Sequence, residues 1–202
     1  MKKFYKVFLV AIAVLFSTAT YAQDLKFGVN AGMNLSNMSG DYDNTKANIG
    51  FQVGVTVDYF LTPEIFLQSG LSFTTKGVKF DDLPGISDPK IGESYLQLPI
   101  RVGYSIPVSD GFNINFNVGP YLAYGVGGKT KMNILGVSGE GDTFGDNGAH
   151  ERFDFGVGAG VGADFGPIAV NIGYEYGITN ASKIDNVSVH NNNAFLTLGY
   201  KF

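Results

Sequence analysis

The hydrophobic and polar positions of Phe153–Phe165 alternate without a break. Every odd position holds Phe, Val or Ala, and every even position holds Asp or Gly. A strict period of two predicts a β-strand with two different faces. Soluble strands usually hold about 5–6 residues, and glycine weakens them. A tilted membrane-spanning strand of about 9–11 residues, apolar toward lipid and small or polar toward a lumen, explains this longer run better than a soluble sandwich.

Seven further segments alternate in the same way, the third along the chain less regularly because Ser69 interrupts its apolar face. They are Leu25–Leu35, Ile49–Tyr59, Ile65–Thr75, Tyr95–Ile106, Phe112–Val126, Ile168–Ile178 and Ala194–Phe202. The alternation therefore predicts eight strands in all.

The connections between these segments are alternately long and short. The long ones are Ser36–Asn48, Gly77–Glu93, Gly127–Arg152 and Thr179–Asn193, and the short ones are Leu61–Glu64, Pro107–Gly111 and Gly166-Pro167. An even strand number with short turns on one side and long loops on the other is typical of outer-membrane barrels. The pattern predicts an all-β fold, an eight-stranded antiparallel transmembrane up-and-down β-barrel, in the cell outer membrane with both termini periplasmic.

The first residues have the order of a cleavable signal peptide. Lys2, Lys3 and Lys6 precede the apolar run Val7–Phe16, and a small-residue tail allows a cut before Gln23. Ten apolar residues are too few for a membrane helix. We therefore predict a signal peptide at residues 1–22 and the barrel domain at residues 23–202.

The net charge and the cysteine content exclude or disfavour some classes of function. The formal net charge is −4, and the predicted signal peptide carries three of the lysines, so the mature chain is more acidic still. An acidic chain without a long basic run argues against nucleic-acid binding. There is no cysteine, which excludes disulfides and thiolate chemistry. The predicted partner is outer-membrane lipid, and we expect a monomer.

Several segments resemble the PorT-like outer-membrane β-barrel family, a group of small porin-family barrels of OmpX or OmpA type. They are YLQLPIRVGY, NVGPYLAYG, RFDFGVGAG, NIGYEYGITN and FLTLGYKF. The chain departs from the family pattern at Gln97, where an acid is frequent, and at Gly103, where a basic residue is common. The resemblance implies an internal ion pair that these two positions do not supply. The family name implies a role in secretion, which we do not transfer to this chain.

No motif for catalysis, a cofactor or a metal is complete. Ala123–Thr130 nearly matches a phosphate-binding loop but lacks its first glycine. His150 and His190 fall in predicted outer loops, with Ser188 close to His190, so a rim hydrolase is an alternative to solvated loop histidines. Asp41 begins a segment that fails the calcium-loop pattern. Weak cation binding by the loop acids stays open, and we predict no catalytic, cofactor or metal residue. These acids are Asp41, Asp43, Asp81, Asp82, Asp142 and Asp146.

Charged residues of both signs occupy predicted lumen positions, together with Lys76 near the rim. They are Lys26, Asp58, Arg101, Asp154, Asp164, Glu175 and Lys201. Because an isolated buried charge is costly, we expect them to pair. Eight strands enclose little more than their own side chains, which favours a structural polar plug over a selectivity lining.

The sequence thus predicts a non-enzymatic barrel that serves surface interaction or envelope integrity through its long outer loops, where a protein or other surface ligand would bind. Two alternatives remain at this stage: a small porin or channel, and a component of a secretion or assembly complex.

Overall fold

The structure is a computed structural model that describes residues 25–42, 44–81, 86–134, 137–145 and 148–202. Side chains at positions 86, 88 and 134 are excluded from the description. The predicted signal peptide, residues 1–22, and the predicted cleavage point lie outside the described residues.

Across the described residues, nine antiparallel strands form one sheet. They are β1 Leu25–Gly40, β2 Thr45–Phe60, β3 Ile65–Phe80, β4 Ile86–Ser109, β5 Phe112–Ile134, β6 Val137–Asp142, β7 Phe153–Phe165, β8 Ile168–Gly177 and β9 Val189–Lys201. The order β4-β3-β2-β1-β9-β8-β7-β5 closes on itself because β4 also pairs with β5. The short strand β6 pairs with the far end of β5 and lies outside the ring. This arrangement confirms the predicted eight-stranded antiparallel barrel.

The barrel is inverted relative to a soluble protein. In β7, Val161 is 44% exposed and points outward, whereas Asp154 is 1% exposed and points into the lumen. Large apolar side chains are exposed in the same way around the ring, and most buried residues are polar. Such an apolar surface marks an environment other than water. None of the described residues belongs to a helix long and apolar enough to cross a membrane.

The strands extend further than the sequence predicted at the end that carries the long connections. β1 ends at Gly40 and β2 begins at Thr45, so most of the predicted loop Ser36–Asn48 is strand. Much of the predicted loop Gly77–Glu93 is also strand. The alternation changes phase there: Leu35 is apolar and points outward, whereas Met38 is apolar and buried. Beyond the apolar band the barrel faces water, so apolar residues turn inward and the pattern breaks.

We call this part of the barrel the extension; it comprises the described residues within 36–48, 76–94, 127–152 and 178–193. Its interior holds an apolar cluster of Met38, Val78 and Ile91, against which Tyr42 and Phe80 pack. A second buried cluster, Tyr95, Tyr121, Ala123 and Phe144, joins the extension to the barrel, since Phe144 of the extension packs against Tyr95 with the ring centroids 5.5 Å apart. The extension is therefore a packed continuation of the barrel.

Aromatic rings inside the barrel pack on glycines of neighbouring strands. The Phe66 ring lies against Gly103, and a methyl group at Gly103 would overlap it. The Phe195 ring occupies the same kind of space at Gly173. Bulky rings opposite glycine fill a narrow tube at close-packed density. The glycine content of the inner face follows from this requirement.

Candidate functional site

One ion cluster lies in the lumen near the short-turn end of the barrel. Lys201 Nζ lies 3.0 Å from Asp58 Oδ2 and 2.9 Å from Asp164 Oδ2. Gln68 Nε2 donates a hydrogen bond of 2.8 Å to Asp58 Oδ1. These ion pairs connect the end of β9 to β2 and β7 across the lumen and so stabilise this end of the closed barrel.

A second cluster crosses the middle of the lumen. Arg101 Nη2 donates to Glu175 Oε1 at 2.7 Å, and Gln97 Nε2 donates to the same oxygen at 2.8 Å. Asn193 Nδ2 donates to Glu175 Oε2 at 3.4 Å. The guanidinium lies over the Phe195 ring, 5.3 Å from its centroid. Glu175 thus collects donors from β4 and β9.

Lys76, which the sequence placed near the rim, is buried at the centre of the charge network. Its Nζ lies 3.6 Å from Glu175 Oε2 and 3.8 Å from Asp154 Oδ2. The ammonium also lies 4.4 Å from the centroid of the Tyr121 ring, a favourable cation–π position. Tyr121 Oη and Thr179 Oγ1 donate to Asp154 at 3.2 and 3.1 Å. Lys76 therefore links two buried acids.

Lys26 does not join these clusters. It lies opposite Asp58 in the β1–β2 register, but its side chain is exposed and its Nζ lies 4.7 Å from the centroid of the Phe60 ring. Within the described residues it forms no ion pair. The reason is its position at the open end of the lumen, where water solvates the ammonium. The other six predicted residues fall into the two clusters.

His150, predicted as a solvated loop residue, is buried at 1% exposure. Its Nδ1 lies 2.6 Å from Glu93 Oε1, and its Nε2 lies 3.1 Å from Tyr42 Oη. The segment between β6 and β7 thus inserts a side chain into the extension. The sequence analysis assigned Glu93 to a loop and therefore did not predict this buried pair. The nearby apolar residue Ile91 was the only sign in the sequence that this segment is partly buried.

His190 and Ser188 do meet at the surface. Their Nε2 and Oγ atoms lie 3.3 Å apart, and Nδ1 lies 3.1 Å from the backbone oxygen of Thr179. The acceptor at Nδ1 is a carbonyl rather than a carboxylate, so the charge that stabilises an imidazolium in a catalytic triad is not supplied there.

The loop acids that the structure describes are engaged in local contacts. Asp41 accepts the backbone N–H of Ser188 at 2.7 Å, and Asp142 pairs with Lys129 at 2.9 Å. Among the described residues, no three His, Cys, Asp or Glu side chains form a group that could hold a metal. Three of the acids considered for cation binding, at positions 43, 82 and 146, lie outside the described residues.

A cavity of about 80 Å³ lies between the two lumen clusters. Arg101, Glu175, Gln97 and Lys201 contribute to its wall. Arg101 Nε and Gln97 Oε1 have no hydrogen-bond partner among the described residues. The cavity has both polar and apolar walls and is large enough for several water molecules. Toward the extension, the buried layer of Lys76 and the aromatic cluster bounds the lumen.

Comparison with known proteins gives one family. The sequence matches the family described as outer membrane protein beta-barrel domain over residues 21–183. None of the curated proteins compared with the chain matches it.

Three solved structures illustrate the likeness to known barrels. The attachment invasion locus protein Ail of Yersinia pestis is 19% identical, with 89% of this chain and 100% of that chain covered, at a TM-score of 0.43. Neisserial surface protein A is 16% identical, with coverage of 87% and 97% and a TM-score of 0.49. OprG from Pseudomonas aeruginosa is 14% identical, with coverage of 90% and 97% and a TM-score of 0.48. The strand pairing of this chain itself establishes its fold.

Proposed function

The chain belongs to the outer membrane protein beta-barrel domain family, and we propose that it is a non-enzymatic barrel that acts at the cell surface through its extension. As a member of that family it is integral to the outer membrane, and its outward apolar band faces lipid. The finer assignment to PorT-like barrels is supported only by the sequence segments given above.

We place both chain ends and the short turns on the periplasmic side. Phe202 N donates to Phe27 O at 2.8 Å, so the two ends of the described chain meet at one rim. The long connections all lie at the other rim, which is the external one in barrels of this kind. A signal peptide at residues 1–22 and a mature chain at 23–202 agree with this orientation, which makes the extension extracellular.

The observation that carries the proposal is the packed interior of the extension. Val78 and Val189 are 0% exposed, although both lie beyond the apolar band. The pair of His150 and Glu93 fixes the segment between β6 and β7 from inside. A surface that is already ordered loses less entropy when a partner binds. A membrane anchor alone has no need of such an extension.

A small channel is the main alternative. The described lumen contains two ion clusters and the buried Lys76 layer, and the apolar cluster lies beyond them. A permeating ion would have to displace Lys76 from Asp154 and then pass closely packed aromatic rings. We therefore expect no steady conductance steps from the purified barrel in planar bilayers. Reproducible steps from the wild type would replace the surface role with a channel.

The test of the surface role removes part of the extension and leaves the barrel. Thr143 N donates to Gly128 O at 3.2 Å, so residues 129–142, which include all of β6, can be replaced by an Asn-Gly turn between two backbone segments that are already hydrogen-bonded to each other. Wild type and variant in lipid nanodiscs are compared on arrays of glycans and surface proteins. Folding is checked by gel mobility without heating. Ligands bound only by the wild type support the proposal, and a wild type that binds nothing contradicts it.

A further inference from the structure

A row of four lysines crosses the outside of the extension. The register places Lys46 opposite Lys79, Lys79 opposite Lys90, and Lys90 opposite Lys131. Directly opposite residues of neighbouring strands lie on the same face of a sheet. Val78 is fully buried, so its neighbour Lys79 points outward, and the whole row does the same.

The row has the dimensions of an extended ligand. Neighbouring strands are about 4.8 Å apart, so four positions across three steps span about 14 Å. On β3, Lys79 comes six residues after the outward Phe73, and on β2, Lys46 comes three residues before the outward Ile49, which is 66% exposed. At about 3.3 Å per residue the row lies about 10–20 Å along the strands from these apolar residues, beyond a headgroup layer of roughly 5–7 Å.

Four like charges in register are unfavourable without a partner, because opposite lysines on adjacent strands repel each other. Lysines that protect a free sheet edge are a common device, but β3 and β4 are paired on both sides. Partial burial, followed by the charges of Lys79 and Lys131, holds the pKa of Lys90 below its usual range. These lysines therefore repel one another, and protection of a sheet edge does not explain why they lie side by side.

The existing contacts leave the row able to bind an anion. Lys46 pairs with Asp81, and Lys131 Nζ lies 3.1 Å from Glu140 Oε2, but these pairs are exposed and of the kind that contributes little. Within the described side chains, Lys79 and Lys90 have no carboxylate partner. The middle of the row is thus its most available part.

We propose that this lysine row binds an acidic polysaccharide that lies across the strands, with its sulfate or carboxylate groups on successive ammonium groups. The proposal rests on the external orientation proposed above. A linear polyanion matches the even spacing of the row, and a chain outside the membrane matches its height. Both features make the membrane's own lipid headgroups the less suitable partner.

Labelled heparin is the probe for the binding test, with the full mature chain in phosphatidylcholine nanodiscs and anisotropy as the readout. We expect wild type to bind, and Lys79→Gln/Lys90→Gln to lose at least about tenfold in affinity, since two ion pairs disappear. Lys26→Gln/Lys183→Gln has the same net charge and changes exposed lysines elsewhere, so it should bind like wild type. Binding should weaken steeply with salt because the row is exposed.

A further variant tests competition by nearby acids. Asp82 and Asp88 are close to the row in sequence, and their side chains lie outside those described. Asp82→Asn/Asp88→Asn removes two negative charges and should strengthen heparin binding. Unchanged or weaker binding would contradict an electrostatic site at the row.

The remaining outcomes are decisive as well. An equal loss in both double-lysine variants would show that only net charge matters and would overturn the site. A wild type that ignores heparin but binds vesicles containing phosphatidylglycerol would reassign the row to lipid. Protease cleavage of the extension in intact cells tests the orientation separately. The extension could resist cleavage in intact cells while the variants still bind heparin in the predicted order of affinity. That result would contradict the proposed surface role but would support the lysine row as the binding site.

Discussion

Replacing Lys76 by methionine is the sharpest test of the lumen network. The side chain is 0% exposed and has two acids within 4 Å, Glu175 at 3.6 Å and Asp154 at 3.8 Å. Methionine keeps most of the aliphatic volume and removes the charge. Glu175 retains Arg101 at 2.7 Å, whereas Asp154 is left with neutral donors such as Tyr121.

The expected magnitude follows from these distances. At an effective dielectric constant of about 20, each contact corresponds to roughly 4–5 kcal/mol of attraction, which the cost of desolvating the ammonium largely offsets. Breaking a buried ion pair on one side typically costs about 3–5 kcal/mol, because the remaining charge has no counterion. We expect Lys76→Met to lose this amount of the free energy of unfolding.

The assay is urea titration of the barrel folded in lipid bilayers, with the folded fraction read from gel mobility. Lys46→Met is the control, since that side chain is 63% exposed and its loss should change stability by no more than about 0.5 kcal/mol. Lys76→Met/Asp154→Asn should recover more than about 1 kcal/mol relative to the single variant. If the free energy of unfolding of Lys76→Met were within about 1 kcal/mol of wild type, the reasoning would be refuted, because Asp154 would then be stable in the lumen without a counterion.

Three further predictions test the faces, the packing and the processing of the chain. Val161→Arg places a charge in the lipid-facing band and should cost roughly 2–4 kcal/mol in the same titration, with Val161→Leu near zero; equal stability would argue against this face. Gly103→Ala would overlap the Phe66 ring and should cost about 1–3 kcal/mol, whereas Gly141→Ala meets no atom within 4 Å and should be neutral. Intact mass of membrane-extracted protein should correspond to a chain that starts at Gln23, and a mass that includes the first 22 residues would contradict cleavage.

The sequence determined the part of the barrel that lies in the apolar band. Lipid outside and a narrow tube inside impose opposite demands on alternate residues, so Phe153–Phe165 can be recognised as a strand from its letters alone. The strand count and the alternation of short and long connections follow from the same pattern. Charged residues at inward positions could be identified from the sequence, but their contacts could not: Lys26 is exposed, whereas Lys76, which the sequence placed near the rim, is buried between two acids.

The fold beyond the apolar band depends on tertiary contacts that the sequence pattern does not reveal. There the outer surface faces water instead of lipid, and the apolar side chains of Met38 and Val78 point inward. The alternation of apolar and polar residues therefore changes phase, and the sequence analysis assigned these residues to loops. Burial of His150 against Glu93 depends on a contact between segments 57 residues apart. The lysine row depends on register, since residues far apart in the chain become neighbours only when hydrogen bonding fixes which positions face each other across the strands.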